Sequence, residues 1–466
     1  MSTTQVPTQP GGPPTATRIP SGRISSAQLE QLAARVRTEG PRGHMEVEQP
    51  FNGQLLGCVP KCAPEDVEAA IARARLVQES WARTKFGERR AILRRFHDLV
   101  LARQEEILDL VQIESGKARK HAFEEVLDVA IVARYYANTA ERHLRSRRAR
   151  GALPLLTAAY EHHHPLGVVG IIAPWNYPLT LSVSDAVPAL AAGNAVVIKP
   201  DSQTPFSALW GFALLEEAGL PQGLVQVVTG AGSELGTPLI DGTDYVMFTG
   251  STATGRKVAE QAGRNLIGAS MELGGKNAMI VLEDADLGRA AEGAERALFS
   301  NAGQLCISIE RLFVHEAVAD EFTRRLTERV RAMKVSSALD YGADMGSLIS
   351  GSQLETISAH VDDAVGKGAT VLAGGRARPD LGPYFYEPTL LEHTREGMTL
   401  HRDETFGPVA AVSRFSDTDE VVARANDSEY GLNFSLWTRD TAATGPKVSS
   451  RCSVIPSPVC SSSVGS

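Results

Sequence analysis

Three side chains of this chain have the chemistry to oxidise an aldehyde through a covalent intermediate. Cys306 ends the stretch FSNAGQLC (residues 299–306), Glu272 opens the glycine pair of MELGGKN, and Asn176 lies in APWNYPLT between an aromatic residue and a proline turn. A thiol attacks the carbonyl carbon, an amide N–H holds the oxyanion, and a carboxylate later activates water. Each residue also has a plainer reading. Cys306 could be an inert buried cysteine, Glu272 a carboxylate neutralised by Lys276, and Asn176 a turn residue ahead of Pro178.

A second group of residues suits a nucleotide. Gly250 and Ser251 begin GSTATG, which joins an expected strand to an expected helix. Glycine and small hydroxyls there let the backbone approach a phosphate at a helix N-terminus, although the run is not G-x-G-x-x-G. Lys199, Pro200, Asp201 and Ser202 end an earlier strand, from which a lysine can reach ribose hydroxyls. A metal fits less well. Cys58 and Cys62 have no further ligands nearby, and three consecutive histidines, 162–164, cannot all converge from a strand. The basic run 145–150 reads as a solvated helix end.

The elements that must carry these groups follow from the hydrophobic periods. Residues 64–82, 86–115 and 117–146 have apolar residues at helical spacing. Asn52-Gly53 marks a hairpin within 51–62, Ser25 and Ser26 cap a short helix through 37, and 153–164 reads as an extended ribbon. From residue 166, short apolar runs such as GVVGII, NAVVIK and DYVMFT alternate with helices at 182–192, 205–219, 233–240 and 254–266. That alternation indicates a parallel sheet with crossover helices, whose strand ends bind nucleotides. A looser alternation follows through NAMIVLE, a helix at 287–300, RLFVH and a helix at 318–333. The fold class is therefore α/β, with a Rossmann-like nucleotide-binding unit and a second α/β unit. The thiol and the nucleotide strands fall in different units, so the site belongs at their junction.

Length and composition agree. The chain has 466 residues, 43% hydrophobic and 22% charged, with a formal net charge of -8. No basic face suits a nucleic-acid backbone, and no apolar run is long enough to cross a membrane. Five cysteines without framework spacing fit reduced thiols in the cytoplasm. Residues 1–23 are rich in Pro, Gly, Thr and Ser and read as a disordered tail.

Taken together, APWNYPL, VIKPDSQTP, FTGSTATG, MELGGKN, GQLC, ETFGPV and YGLNFSLWTRD resemble the aldehyde dehydrogenase superfamily, in order and approximate spacing over about residues 50–440. PDSQTP, NAGQLCISIER and MGSLIS are most similar to the bacterial NADP-dependent succinate-semialdehyde dehydrogenases. The resemblance implies that Cys306 adds to the aldehyde, with Asn176 and the Cys306 N–H holding the oxyanion. One such donor typically contributes roughly 2.7–4 kcal/mol. It further implies that hydride passes to nicotinamide and that Glu272 activates the water that hydrolyses the thioester. Trp175, Asn176, Lys199, Pro200, Asp201, Ser202, Gly250, Ser251 and Leu273 match cofactor contacts, and Glu404 and Phe406 match positions at the nicotinamide ribose and ring.

The implied division is 24–150 with 167–273 for the nucleotide, 151–166 for an oligomerisation ribbon, and 274–447 for catalysis. Homo-oligomers are the rule among relatives. NAD-preferring relatives often carry a glutamate where this chain has Ser202. A carboxylate would repel a 2′-phosphate, so NADP is the expected cofactor, with NAD possible.

Two departures matter. Some succinate-semialdehyde enzymes place arginines beside the substrate carboxylate, one in the helix after PWN and one six residues before the cysteine. Here 182–190 contains no arginine and the second position is Ser300, so a neutral aldehyde is the alternative substrate. After about Lys447 the family pattern stops, and 448–466 reads as an atypical, apparently truncated end. Loss of the strand expected there would leave an unpaired edge, which makes a non-catalytic nucleotide-binding relic the rival reading and assembly doubtful.

Overall fold

The computed structural model describes residues 24–153 and 156–440. The expected tail at 1–23 and the atypical end at 448–466 lie outside the described residues.

Strands β1 (His44–Gln49) and β2 (Gln54–Pro60) form an antiparallel hairpin whose turn includes Gly53 in the left-handed region, φ 71°. The turn is where Asn52-Gly53 placed it, but the first strand lies upstream of the expected 51–62. Helices follow at Pro64–Trp81, Phe86–Ala102, Gln104–Ser115 and Arg119–Leu144. The continuous apolar period of 86–115 predicted one helix, and the structure has two. The backbone at Arg103 leaves helical geometry (φ -107°, ψ 20°), and its guanidinium binds Glu106 and Glu217. Beyond that break the helix plunges inward, and every residue from Ile107 to Ser115 is buried.

Only the start of the basic run 145–150 is a helix end, since Arg145 caps the helix Arg119–Leu144. The last four residues of the run form β3 (Arg147–Arg150), which pairs antiparallel with β4 (Ala158–Glu161) in a largely exposed ribbon. Three arginines among four exposed positions hide the alternation that marks a strand.

The first large sheet is wholly parallel, in the order β7-β6-β5-β8-β9. Its strands are β5 (Val168–Ile172), β6 (Ala195–Lys199), β7 (Val225–Val227), β8 (Tyr245–Thr249) and β9 (Gly268–Glu272). β5 and β6 are apolar on both faces because helices cover both sides. The stretch expected to be helical at 182–192 opens with a π turn, Thr180–Ser184, before the helix Asp185–Ala191.

The second sheet follows the order β12-β13-β14-β11-β10-β15. Here β10 is Asn277–Val281, β11 Ile309–His315, β12 Thr370–Ala373, β13 Thr389–Glu392, β14 Val409–Phe415 and β15 Phe434–Trp437. Only β12 runs antiparallel to its neighbour. Each sheet has its own large apolar cluster, one drawn from residues between 29 and 239, the other mainly from 279–412. Between β9 and β10 lie only Leu273, Gly274, Gly275 and Lys276. The short crossing between the two layers therefore carries the MELGGKN glycines.

Candidate active site

The thiol is delivered by a strained turn. The helix Leu287–Phe299 is capped by Asp286, which accepts from the N–H groups of Gly288 and Arg289. It then breaks into three consecutive left-handed residues: Asn301 (φ 51°), Ala302 (φ 55°) and Gly303 (φ 69°). Only glycine fits at 303, where a Cβ would sit 2.0 Å from the Gly407 carbonyl oxygen. The non-glycine positions each cost roughly 1–2 kcal/mol and need external support. Asn301 receives it from three sides. Its N–H donates to His121 Nδ1 at 3.1 Å, and its Nδ2 donates to the Asn176 and Gln304 carbonyls at 2.9 and 3.1 Å. Burial, then Lys120, Lys117 and Arg296, push His121 down to about 3, so the ring stays neutral and Nδ1 stays an acceptor.

The turn leaves Cys306 half-buried, just ahead of β11. Its carbonyl accepts from Asn277 Nδ2 at 2.7 Å, and the main-chain N–H groups of Ile307 and of Cys306 itself favour the ionised sulfur. Burial first, then the charges of Glu404 and Glu272, push the thiol up to about 12. At rest the group is a protonated thiol, so its use as a nucleophile requires a base.

Two carboxyls border it. Glu272 ends β9, half-buried, with its pKa raised by burial. Glu404 is pushed up to about 7, chiefly by burial. Its Oε1 accepts the Gly275 N–H at 2.9 Å, and a Cβ on Gly274 would fall 2.2 Å from its Oε2. The glycine pair is thus the bed on which this carboxyl lies. Lys276 does not neutralise Glu272. It forms a buried ion pair with Glu310, which also accepts the N–H groups of Thr405 and Phe406.

Asn176 is 4% exposed and packs against the thiol loop. Its Nδ2 donates to the Gln304 carbonyl at 3.1 Å, which occupies one amide hydrogen. Its carbonyl accepts from Lys117 Nζ at 2.8 Å. Lys117 pairs with Glu125 in the interior, and Glu125 accepts the N–H groups of Leu179 and Thr180 at 2.9 and 3.0 Å. The same Nζ lies 4.0 Å from the centre of the Tyr177 ring.

The nucleotide candidates gather at the carboxyl ends of the first sheet's strands. Lys199 is buried, and its Nζ donates to the Pro200 and Gly230 carbonyls at 2.9 and 3.5 Å. Ser202 Oγ donates to the same Gly230 carbonyl at 3.1 Å, and Asp201 folds its own turn by accepting the Gln203 N–H. Ser251 caps the helix Thr252–Arg264. A Cβ on Gly250 would meet the Phe248 ring at 2.6 Å, and one on Gly255 would meet the Leu273 side chain at 2.4 Å. Trp175 meets Phe406 edge to face, with ring centroids 5.4 Å apart. These features fit a nicotinamide dinucleotide: a buried lysine bonded to main-chain carbonyls, a serine-capped helix start, and close backbone on both sides.

The sequence reading missed Lys117, Glu125, Asn277 and Glu310, which lock the loops in place. Glu310 carried a faint signal, as a charge inside the apolar run ISIERLFV. Lys117 and Glu125 carried none. Among the described residues no group of histidine, cysteine and carboxylate side chains could hold a metal, and none is long and apolar enough as a helix to cross a membrane.

Residues 36–452 match the aldehyde dehydrogenase family. A Mycolicibacterium smegmatis protein provisionally named succinate-semialdehyde dehydrogenase (NADP+) is 53% identical over 415 residues, covering 89% of this chain and 80% of that one. The succinate-semialdehyde dehydrogenase GabD of Escherichia coli, also named for NADP+, is 37% identical over 402 residues, covering 85% and 82%. Among solved structures, an E. coli NADP-dependent enzyme superimposes with a TM-score of 0.85 at 35% identity, covering 88% and 85%. The NAD+ complex of a Bacillus cereus aldehyde dehydrogenase gives 0.85 at 34%, covering 90% and 85%.

Proposed function

The chain belongs to the aldehyde dehydrogenase family, and from that premise we propose that it oxidises succinate semialdehyde to succinate with NADP+. The observation that carries the chemistry is the half-buried Cys306 thiol, bordered by Glu272 and Glu404 and facing the Asn176 loop. The Cys306 thiol gives up its proton to solvent as the sulfur adds to the aldehyde carbon. The oxyanion is held by the second Nδ2 hydrogen of Asn176 and by the Cys306 N–H. A nicotinamide bound along the strand ends would supply the hydride acceptor, so that the hydrogen on the former aldehyde carbon leaves with its electron pair. Cys306 is then a thioester. Glu272 draws a proton from water, the hydroxide adds to the thioester carbon, and the adduct releases the acid by breaking its C–S bond, after which the Cys306 thiolate takes the proton back from Glu272.

Lys199, Ser202, Gly250 and Ser251 would hold the adenosine and phosphate portion, and Trp175, Leu273, Glu404 and Phe406 the nicotinamide end. The absence of a carboxylate at Ser202 supports NADP. The crossing between the two sheets at Leu273–Lys276 supports a nucleotide-binding unit ahead of it and a catalytic unit after it, and the exposed ribbon β3–β4 suits assembly with a second copy. The free thiols of Cys58, Cys62 and Cys306 support a reducing cytoplasm.

A neutral aldehyde is the second reading, favoured by the uncharged Ser300. The test is NADPH formation with succinate semialdehyde and with butanal, beside a Cys306→Ala control. Turnover of the semialdehyde that vanishes in the control supports the proposal. Turnover of butanal alone favours the second reading.

A further inference from the structure

If the substrate carries a carboxylate, some cation must receive it, and neither position expected from the resemblance supplies one. The structure contains another. Beside the thiol loop opens a cleft of ≈ 670 Å³ whose lining includes His121, Ser300 and Arg296. A chain of hydrogen bonds links its lining to the thiol loop. His121 holds the Asn301 N–H, and Asn301 holds the Asn176 and Gln304 carbonyls.

Among the described residues four cations line this cleft, and three are poorly suited. Lys120 is paired with Asp344 at 3.0 Å, and Arg329 with Glu295 at 2.7 Å. Arg289 lies seven residues before Arg296 on the helix Leu287–Phe299, about 10 Å farther from the thiol loop. Arg296 lies one turn before Ser300, on the same face, and the Ser300 hydroxyl donates to its carbonyl at 2.8 Å. A long side chain one turn back can thus serve the position that Ser300 leaves uncharged. The charge of Arg296 also reaches Tyr177, which in turn senses Cys306.

We propose that Arg296 receives the distal carboxylate of the substrate and sets the preference for a semialdehyde acid over a neutral aldehyde. This rests on the substrate reading above. Among the described residues Arg296 has one polar side-chain contact, Nη2 to Glu124 at 3.1 Å, and its side chain is 78% exposed. Such an exposed, single contact is weak. A substrate carboxylate can displace Glu124 by engaging two guanidinium donors at once, a stronger arrangement. Lysine cannot reproduce that fork.

The experiment compares kcat/KM for succinate semialdehyde and for butanal in the wild type, Arg296→Gln, Arg296→Lys and Glu124→Gln. The expected result is that Arg296→Gln lowers the semialdehyde-to-butanal ratio roughly tenfold or more, mainly through KM. Arg296→Lys falls between, and Glu124→Gln keeps or raises the ratio. A wild-type preference that survives unchanged in Arg296→Gln overturns the assignment and leaves the substrate reading intact. A wild type without preference overturns both. Thermal melts of the variants separate a folding defect, which lowers both rates alike, from lost recognition; equal losses also overturn the assignment.

Discussion

Replacing Asn301 tests how the thiol is held. The residue sits at φ 51° and makes two amide bonds, to the Asn176 carbonyl at 2.9 Å and the Gln304 carbonyl at 3.1 Å. Neither acceptor is orphaned by its loss, because Lys117 Nζ still reaches the Asn176 carbonyl and Asn176 Nδ2 still reaches that of Gln304. Each lost bond is therefore worth only about 0.5–1.5 kcal/mol. Asn301→Gly loses both bonds but tolerates the left-handed backbone, so it should cost about 1–3 kcal/mol. Asn301→Ala loses the same bonds and adds about 1–2 kcal/mol of backbone strain. Alanine should therefore be the worse substitution, reversing the order expected in ordinary backbone. The assay is a thermal melt of both variants at one pH, with the amplitude of the first NADPH turnover as a measure of correctly placed thiol. Alanine should melt lower than glycine by about 1 °C per kcal/mol of added strain, as the unfolding entropy of a 466-residue chain implies. Equal melting points, or a higher one for alanine, would refute the argument that amide bonding and left-handed geometry together hold this turn.

Other consequences concern the groups around that turn. Lys117→Met strands Glu125 in the interior and should cost about 3–5 kcal/mol, read as a lowered melting temperature. Lys117→Met with Glu125→Leu should recover most of that loss. Glu404 is pushed up to about 7 from an ordinary value of 4.5. The folded state thus binds the extra proton more tightly, and this contribution to stability is full below about 4.5 and lost as pH rises through about 7. Melts across pH 4–8 should show Glu404→Gln losing less stability than the wild type over that window. Ser202→Glu should raise the KM for NADP+ about tenfold or more and change that for NAD+ far less, measured by initial rates.

How much of this was legible beforehand depended on whether the signal was local. The parallel sheet announced itself in runs such as VVGII and AVVIK because strands buried on both faces are continuously apolar. The end of the thiol's helix was legible at 300, just before Asn301-Ala302-Gly303, and glycine and asparagine are the residues that best tolerate the left-handed backbone found there. The groups that fix the site were not local. Lys276 stands four residues from Glu272 yet pairs with Glu310, because the chain crosses between sheets at that point and sends the two side chains apart. Lys117 reads as a surface charge until the fold brings Glu125 and the Asn176 carbonyl onto it. The break at Arg103 was invisible because the apolar period runs straight through it. The ribbon strand Arg147–Arg150 was hidden by its charge.

The central claim is that Cys306 carries the acyl group and Glu272 releases it. Glu272→Gln, mixed with succinate semialdehyde and NADP+, should form about one NADPH per active site and then slow by about 10²–10⁴. Intact-protein and peptide mass spectrometry on the slowed enzyme should find a succinyl group on Cys306. An NADPH burst with Cys306 unmodified, or full steady turnover in the variant, would contradict the account.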